Sequence, residues 1–230
     1  MKSLHIAIAS TTSKPGAVSE NLAQIAEFAR RASGDGADLL LTPELSASGY
    51  GPYPEVIATA EPAGNGPIFH ELAKMTKRNG LVVCAGFVEA SGDRRYLAHY
   101  IVYPDGRFVV QLKNRVMLTE RPLDPSGELI PPDPAHPSGD PADPGQPRNP
   151  QFTFFDIKGF RCALVICADC GIPDLDGILD RNGVEILLVP TGAGGERKDR
   201  VTNEALRTEE GRQKYLGLLE KHFFPGASVV

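Results

Sequence analysis

Apolar and polar positions alternate along this chain in two rhythms. The segment His5–Ser10 alternates with period two and predicts a strand. Val18–Ala32 places Leu22, Ile25, Ala26, Phe28 and Ala29 near helical spacing, with Ser13 or Ser19 to cap the helix and Gly34-Asp35-Gly36 to end it. Asp38-Leu39-Leu40-Leu41 predicts a short buried strand running straight into Thr42-Pro43-Glu44. A second helix fits Pro67–Arg78, with Ile68, Leu72, Ala73 and Met75 on one side, and Leu81–Val88 predicts another buried strand. Tyr96–Tyr103 and Arg107–Leu112 flank Pro104-Asp105-Gly106, the residue set of a hairpin turn. Further on, Phe152–Asp156 and Arg161–Ile166 predict strands split at Lys158-Gly159. Asp174–Asn182 predicts a short helix, Val184–Val189 a strand, and Val201–Lys221 a charged helix. Strands alternating with helices, but interrupted by hairpins, favour an α/β layered domain with mixed sheets over a purely parallel doubly wound fold.

Residues 122–150 break the pattern. Half of the 20 prolines of the chain fall there, among Asp, Gly and Ser. Such a segment can form neither a helix nor a central strand, so it predicts a long loop or insertion within a single domain spanning residues 1–230. Joined to Glu120 and leading back to the Cys-bearing strand, it is expected to lie near the mouth of a pocket.

Composition narrows the classes. The 230 residues suffice for a large buried core, and 41% hydrophobic with 23% charged residues is ordinary for a globular protein. A net charge of −5 gives no electrostatic case for binding nucleic acid or an anionic membrane. No apolar run reaches the length of a membrane-spanning helix, and the N-terminal apolar stretch is too interrupted for a signal peptide. Four cysteines without such a leader suggest free thiols in a reducing compartment, hence a cytoplasmic protein.

Three candidate sites stand at strand ends, where a rigid backbone can aim a side chain. Glu44 follows the strand Leu39–Leu41 directly and precedes Gly49-Tyr50. Lys113 follows the hairpin strand Arg107–Leu112, with Glu120-Arg121 further on. Cys167 closes an apolar strand within Val165-Ile166-Cys167-Ala168-Asp169-Cys170-Gly171-Ile172-Pro173, just before a turn and a helix. That setting follows the logic of a nucleophile elbow, in which backbone N–H groups depress a thiol's pKa and receive an oxyanion. The Cys167/Cys170 C-x-x-C pair also admits a redox pair or half of a zinc site. Cys84 and Cys162 lie on apolar strands without a nearby His, and no thioredoxin-like pattern surrounds the pair.

Taken in order, Leu41-Thr42-Pro43-Glu44-Leu45, then Lys113, then Ile166-Cys167-Ala168-Asp169…Pro173 resemble the carbon–nitrogen hydrolase (nitrilase/amidase) superfamily. Ala85-Gly86-Phe87-Val88-Glu89 and Val189-Pro190-Thr191-Gly192 match as well, so the resemblance spans most of residues 4–195. It implies a four-layer α-β-β-α sandwich, here short of the C-terminal strands with which relatives usually continue, and a homodimer or larger homo-oligomer. It implies Glu44 as general base, Cys167 as nucleophile, Lys113 as the donor to the tetrahedral intermediate and Glu120 as a second, assisting Glu, with neither metal nor organic cofactor. Tyr50 and Asp169 are expected to contact substrate. An alternative register places Arg115 where relatives carry the Lys, and Arg cannot readily shuttle a proton. Asp169, together with the absence of Trp, favours a small linear amide as substrate over a nitrile. A nitrilase proper, or a non-catalytic relative kept for binding or assembly, are the alternatives.

Overall fold

The computed structural model describes residues 2–51, 54–116, 151–192, 208–210 and 213. Met1–Ala193 forms one compact unit and Gly194–Val230 a second. Of the second unit, the described residues are a helical fragment in which Gln213 Nε2 donates to Glu209 Oε1 at 3.0 Å, one helical turn away. The remainder of the expected helix Val201–Lys221, and the Pro-rich segment 122–150, lie outside the described residues.

In the first unit the described strands form two sheets. The larger has the order β1 (Ile6–Ile8), β2 (Leu39–Leu41), β3 (Val82–Ser91), β4 (Arg94–Val102), β5 (Phe108–Leu112). The first three strands are parallel, and β3 to β5 form an antiparallel meander, so the sheet is mixed. The smaller sheet contains β6 (Phe154–Ile157), β7 (Phe160–Leu164) and β8 (Ile186–Leu188), antiparallel and then parallel. Each parallel step needs a crossover, which α1 (Val18–Gly34), α3 (Pro67–Asn79) and α4 (Leu175–Arg181) supply. A short helix, α2 (Pro54–Ile57), is too brief to show a period, and the sequence reading has no counterpart for it.

The sheet residues sort by parity into two apolar layers. Leu40, Val83, Ala85, Phe87, Ala98, Tyr100 and Val102 pack under Leu22, Ile25 and Ala29 of α1 and Ile68, Leu72 and Met75 of α3. Leu39, Leu41, Cys84, Ile101 and Tyr103 face the other way, onto Phe155, Ile157, Cys162, Leu164 and Leu188 of the smaller sheet. Leu175 and Leu179 of α4 cover that sheet's outer side through Ala163 and Val165. The resulting order is helices, sheet, sheet, helix, the expected α-β-β-α sandwich. A sheet covered on both faces accounts for the nearly continuous apolar runs of β3 and β4. Full burial of a Leu or Ile contributes about 1.5–3 kcal/mol, so the layer between the sheets fixes their relative placement.

None of Cys84, Cys162, Cys167 and Cys170 is joined in a disulfide. Among the described residues no helix is long and apolar enough to cross a membrane.

Candidate active site

The sandwich carries three chain segments to one place. Glu44 sits just past the C-terminal end of β2. The residues after it turn sharply, with Leu45 at φ 51°, and are held by hydroxyls and amides. Thr42 Oγ1 donates to Cys84 O at 2.9 Å, Ser46 Oγ accepts from Gly86 N at 3.1 Å, and Ser48 Oγ accepts from Val88 N at 3.1 Å. Gly86 of β3 is what lets this loop lie flat on the sheet, because a Cβ there would collide with the backbone nitrogen of Leu45. Glu44 is thereby only 3% exposed.

Lys113 follows β5 and is fully buried. Its Nζ donates to Glu44 Oε1 at 2.5 Å. The second carboxylate oxygen, Oε2, accepts from Gly192 N at 3.1 Å. Of the two registers open to the sequence, the ion pair therefore belongs to Lys113. Arg115 is half-buried, with its guanidinium against Gly171. An ion pair at this depth is costly to desolvate, and it persists only where geometry and further hydrogen bonds satisfy both partners. The pair joins two of the residues expected at the site.

Cys167 lies three residues past β7, at the head of a single 3-10 turn, Cys167–Gly171. It is half-buried and holds φ 49°, a left-handed conformation that costs a non-glycine residue about 1–2 kcal/mol. Four described non-glycine residues have positive φ; Leu45 and Cys167 lie at or next to an expected catalytic group, whereas Lys158 and Asp174 lie in the β6–β7 turn and at the start of α4.

Two short hydrogen-bonded links tie Cys167 to the ion pair. On one side, Cys167 N donates to Pro190 O at 3.0 Å, and two residues beyond Pro190 the amide of Gly192 meets Glu44. On the other, Asp169 Oδ2 accepts from Asn114 N at 3.1 Å and Oδ1 from Arg115 N at 2.6 Å, the two amides that follow Lys113. Asp169 is fully buried, and burial, opposed by these two amides and by the charge of Lys113, pushes its pKa up to about 6. The carboxylate that the sequence assigns to substrate is thus bonded to the protein's own backbone. The Lys113 loop is gripped from its other side too: Asn114 Oδ1 accepts from Gln151 N at 2.6 Å and Asn114 Nδ2 donates to Gln151 O at 3.1 Å.

Tyr50 lies half-buried beside the pair, its ring over Gly192. A Cβ at Gly192 would fall 2.6 Å from Tyr50 Cδ2 and 3.2 Å from Glu44 Oε2. Gly192→Ala is accordingly expected to push Tyr50 aside and lengthen the amide bond to Glu44. Steady-state kinetics should then show a fall of about 10-fold or more in kcat/KM, since small displacements at a reacting centre are costly. Cys170, in contrast, is largely withdrawn: burial first, and the neighbouring Asp169 charge second, push its thiol up to about 11. Glu120 lies outside the described residues.

Asn114 and Gln151 are absent from the sequence reading. Gly192 belongs to the matched stretch Val189–Gly192, but only a structure reveals that its amide serves Glu44.

Comparison with known proteins bears on the family and the fold. The family model described as carbon-nitrogen hydrolase matches residues 5–210. An amidase from Nesterenkonia sp. superposes with a TM-score of 0.65 at 20% identity, covering 91% of this chain and 73% of that one. A Glu-to-Gln variant of that amidase, with a TM-score of 0.64 at 20% identity over 85% of this chain and 67% of that one, carries the acetamide moiety of fluoroacetamide covalently added at its active-site cysteine. A glutamine-dependent NAD(+) synthetase from Xanthomonas campestris is 26% identical over 99% of this chain and 40% of its own length. An (R)-stereoselective amidase from Pseudomonas sp. is 24% identical over 82% of this chain and 60% of its own length. The chain thus spans about two-fifths to three-fifths of the curated relatives it matches. With the family model covering nearly all of the first unit and the mixed-sheet sandwich beneath it, this chain belongs to the carbon-nitrogen hydrolase family.

Proposed function

We propose that this protein hydrolyses the carbon–nitrogen bond of a small amide through a thioester on Cys167, with Glu44 and Lys113 as its partners. The observation that carries the reading is the buried Lys113–Glu44 pair, tied through Gly192 and Asp169 to the turn that bears Cys167. In this mechanism Glu44 takes the thiol proton, and the sulfur attacks the amide carbon. Lys113, fixed by its ion pair, donates to the oxyanion that develops. Collapse of the tetrahedral intermediate breaks the carbon–nitrogen bond, and Glu44 returns its proton to the leaving nitrogen. Water then gives a proton to Glu44 and attacks the thioester, releasing the carboxylic acid and restoring the thiol.

Amide rather than nitrile chemistry is favoured by the amidases among its relatives and structural neighbours, and by the lack of Trp beside the nucleophile. The match to the glutamine-dependent synthetase extends over 99% of this chain, which makes the side-chain amide of glutamine one of the amides to test. The experiment is ammonia release measured over short aliphatic amides, acid amides including glutamine, and aliphatic nitriles. Release from at least one amide is expected. Release from nitriles alone would move the assignment to a nitrilase, and release from none would favour the non-catalytic reading.

A further inference from the structure

The two segments that bear Lys113 and Cys167 follow strands of different sheets, β5 and β7, and both lie past the strand ends, beyond the paired strand residues of either sheet. Asp169 bridges them. It stands two residues from Cys167 in the same 3-10 turn, and its two oxygens accept from the two successive amides that follow Lys113. We propose that Asp169 is a positioning residue, clamping the Lys113 loop of the larger sheet onto the Cys167 turn of the smaller one so that donor and nucleophile keep a fixed separation. The proposal rests on the amide-hydrolase reading for its effect on turnover, but not for its effect on the thiol.

The geometry supports this role in three ways. The carboxylate is fully buried, so solvent does not compete for its oxygens. Both oxygens are used by backbone amides, which fixes the chain path rather than a side-chain rotamer. Its clamp also has a counterpart on the far side of the loop, where Asn114 and Gln151 exchange two hydrogen bonds, leaving Lys113 little freedom. Only the ionised carboxylate presents two full acceptors. The charged and titratable groups around it are Lys113 at the end of β5, Arg115 in the same loop, Cys167 and Cys170 in its own turn, and Glu44 beyond Lys113. With its pKa pushed up to about 6, Asp169 gains a proton as the pH falls through that value, and one of the two acceptors weakens.

The test compares the full chain with Asp169→Asn, a substitution that keeps the volume but turns one acceptor into a donor facing an amide. Two readouts are taken from pH 5 to 8: ammonia release from the best amide, and alkylation of Cys167 by iodoacetamide in a Cys170→Ala background. The clamp is expected to appear as a fall of about 10–100-fold in kcat with KM changed less than about threefold. Alkylation is expected to slow by about 10-fold or more, and the acid limb near pH 6 in the parent's kcat profile should be lost in the variant. Slowed alkylation in a protein that releases no ammonia would uphold the clamp and reject the hydrolase reading. Unchanged alkylation and unchanged kcat in a folded variant would overturn the clamp and leave the hydrolase reading standing. Should Asp169→Asn fail to fold, the parent's own profiles decide: kcat and alkylation both flat between pH 5 and 7 would overturn it.

Discussion

Cys167→Ala is expected to abolish ammonia release, and Cys170→Ala to retain most of it. Only three positions separate the two thiols in one 3-10 turn, yet their surroundings differ. Cys167 is at the strand end, bonded through its amide to Pro190 and so placed beside the Gly192–Glu44 link. Cys170 packs against the outer layer with Ala163, Val165, Leu175 and Leu179. Burial and the Asp169 charge push its pKa up to about 11, so at pH 7 only about one molecule in ten thousand carries its thiolate, the form that attacks. Loss of the nucleophile removes covalent catalysis altogether, a loss of at least about 10³-fold. Activity that survives Cys167→Ala but not Cys170→Ala would exchange the two roles.

The second large effect concerns the buried ion pair. Glu44→Gln leaves the Lys113 ammonium buried beside a neutral amide, and Lys113→Met leaves the Glu44 carboxylate buried without the ammonium. Removing one partner of a buried pair costs about 3–5 kcal/mol of stability. The double variant, which removes both charges of this pair, is expected to recover part of that loss in urea unfolding. Activity should behave differently. Each single variant removes either the base, worth about 10²–10⁴-fold, or the oxyanion donor, worth about 10²–10³-fold, and the double variant should remain as inactive as the worse single one. A double variant that regained turnover along with stability would mean that the pair is structural only. One in which neither single substitution lowers stability would contradict the burial of Lys113.

The long periodic elements were legible in the sequence because each buries a single stripe, as Leu22, Ile25 and Ala29 do in α1. The β3–β4 hairpin was legible only in its buried part. Its outer end, from Glu89 through Arg95, is half-buried to exposed and is held by backbone pairing, which leaves no apolar trace. The candidate site was read from the sequence as three residues in order. Lys113 was preferred to Arg115 there for its spacing to Glu120; parity along the chain does not separate the two, and the turn after Leu112 is what buries Lys113 and leaves Arg115 half-buried. The role of Asp169 was hidden for a related reason: its partners are the main-chain amides of Asn114 and Arg115, and an amide looks the same under every side chain. The Gly192 amide was hidden in the same way.

Denaturing mass spectrometry of the protein quenched during turnover of its best amide tests the central claim most directly, followed by peptide mapping of any mass gained. The account expects the mass of the acyl group on the peptide containing Cys167, and none in Cys167→Ala. It also expects slower formation of that adduct in Glu44→Gln. Turnover with no acyl group on Cys167 at any quench time, or an adduct found instead on Cys170, would contradict it.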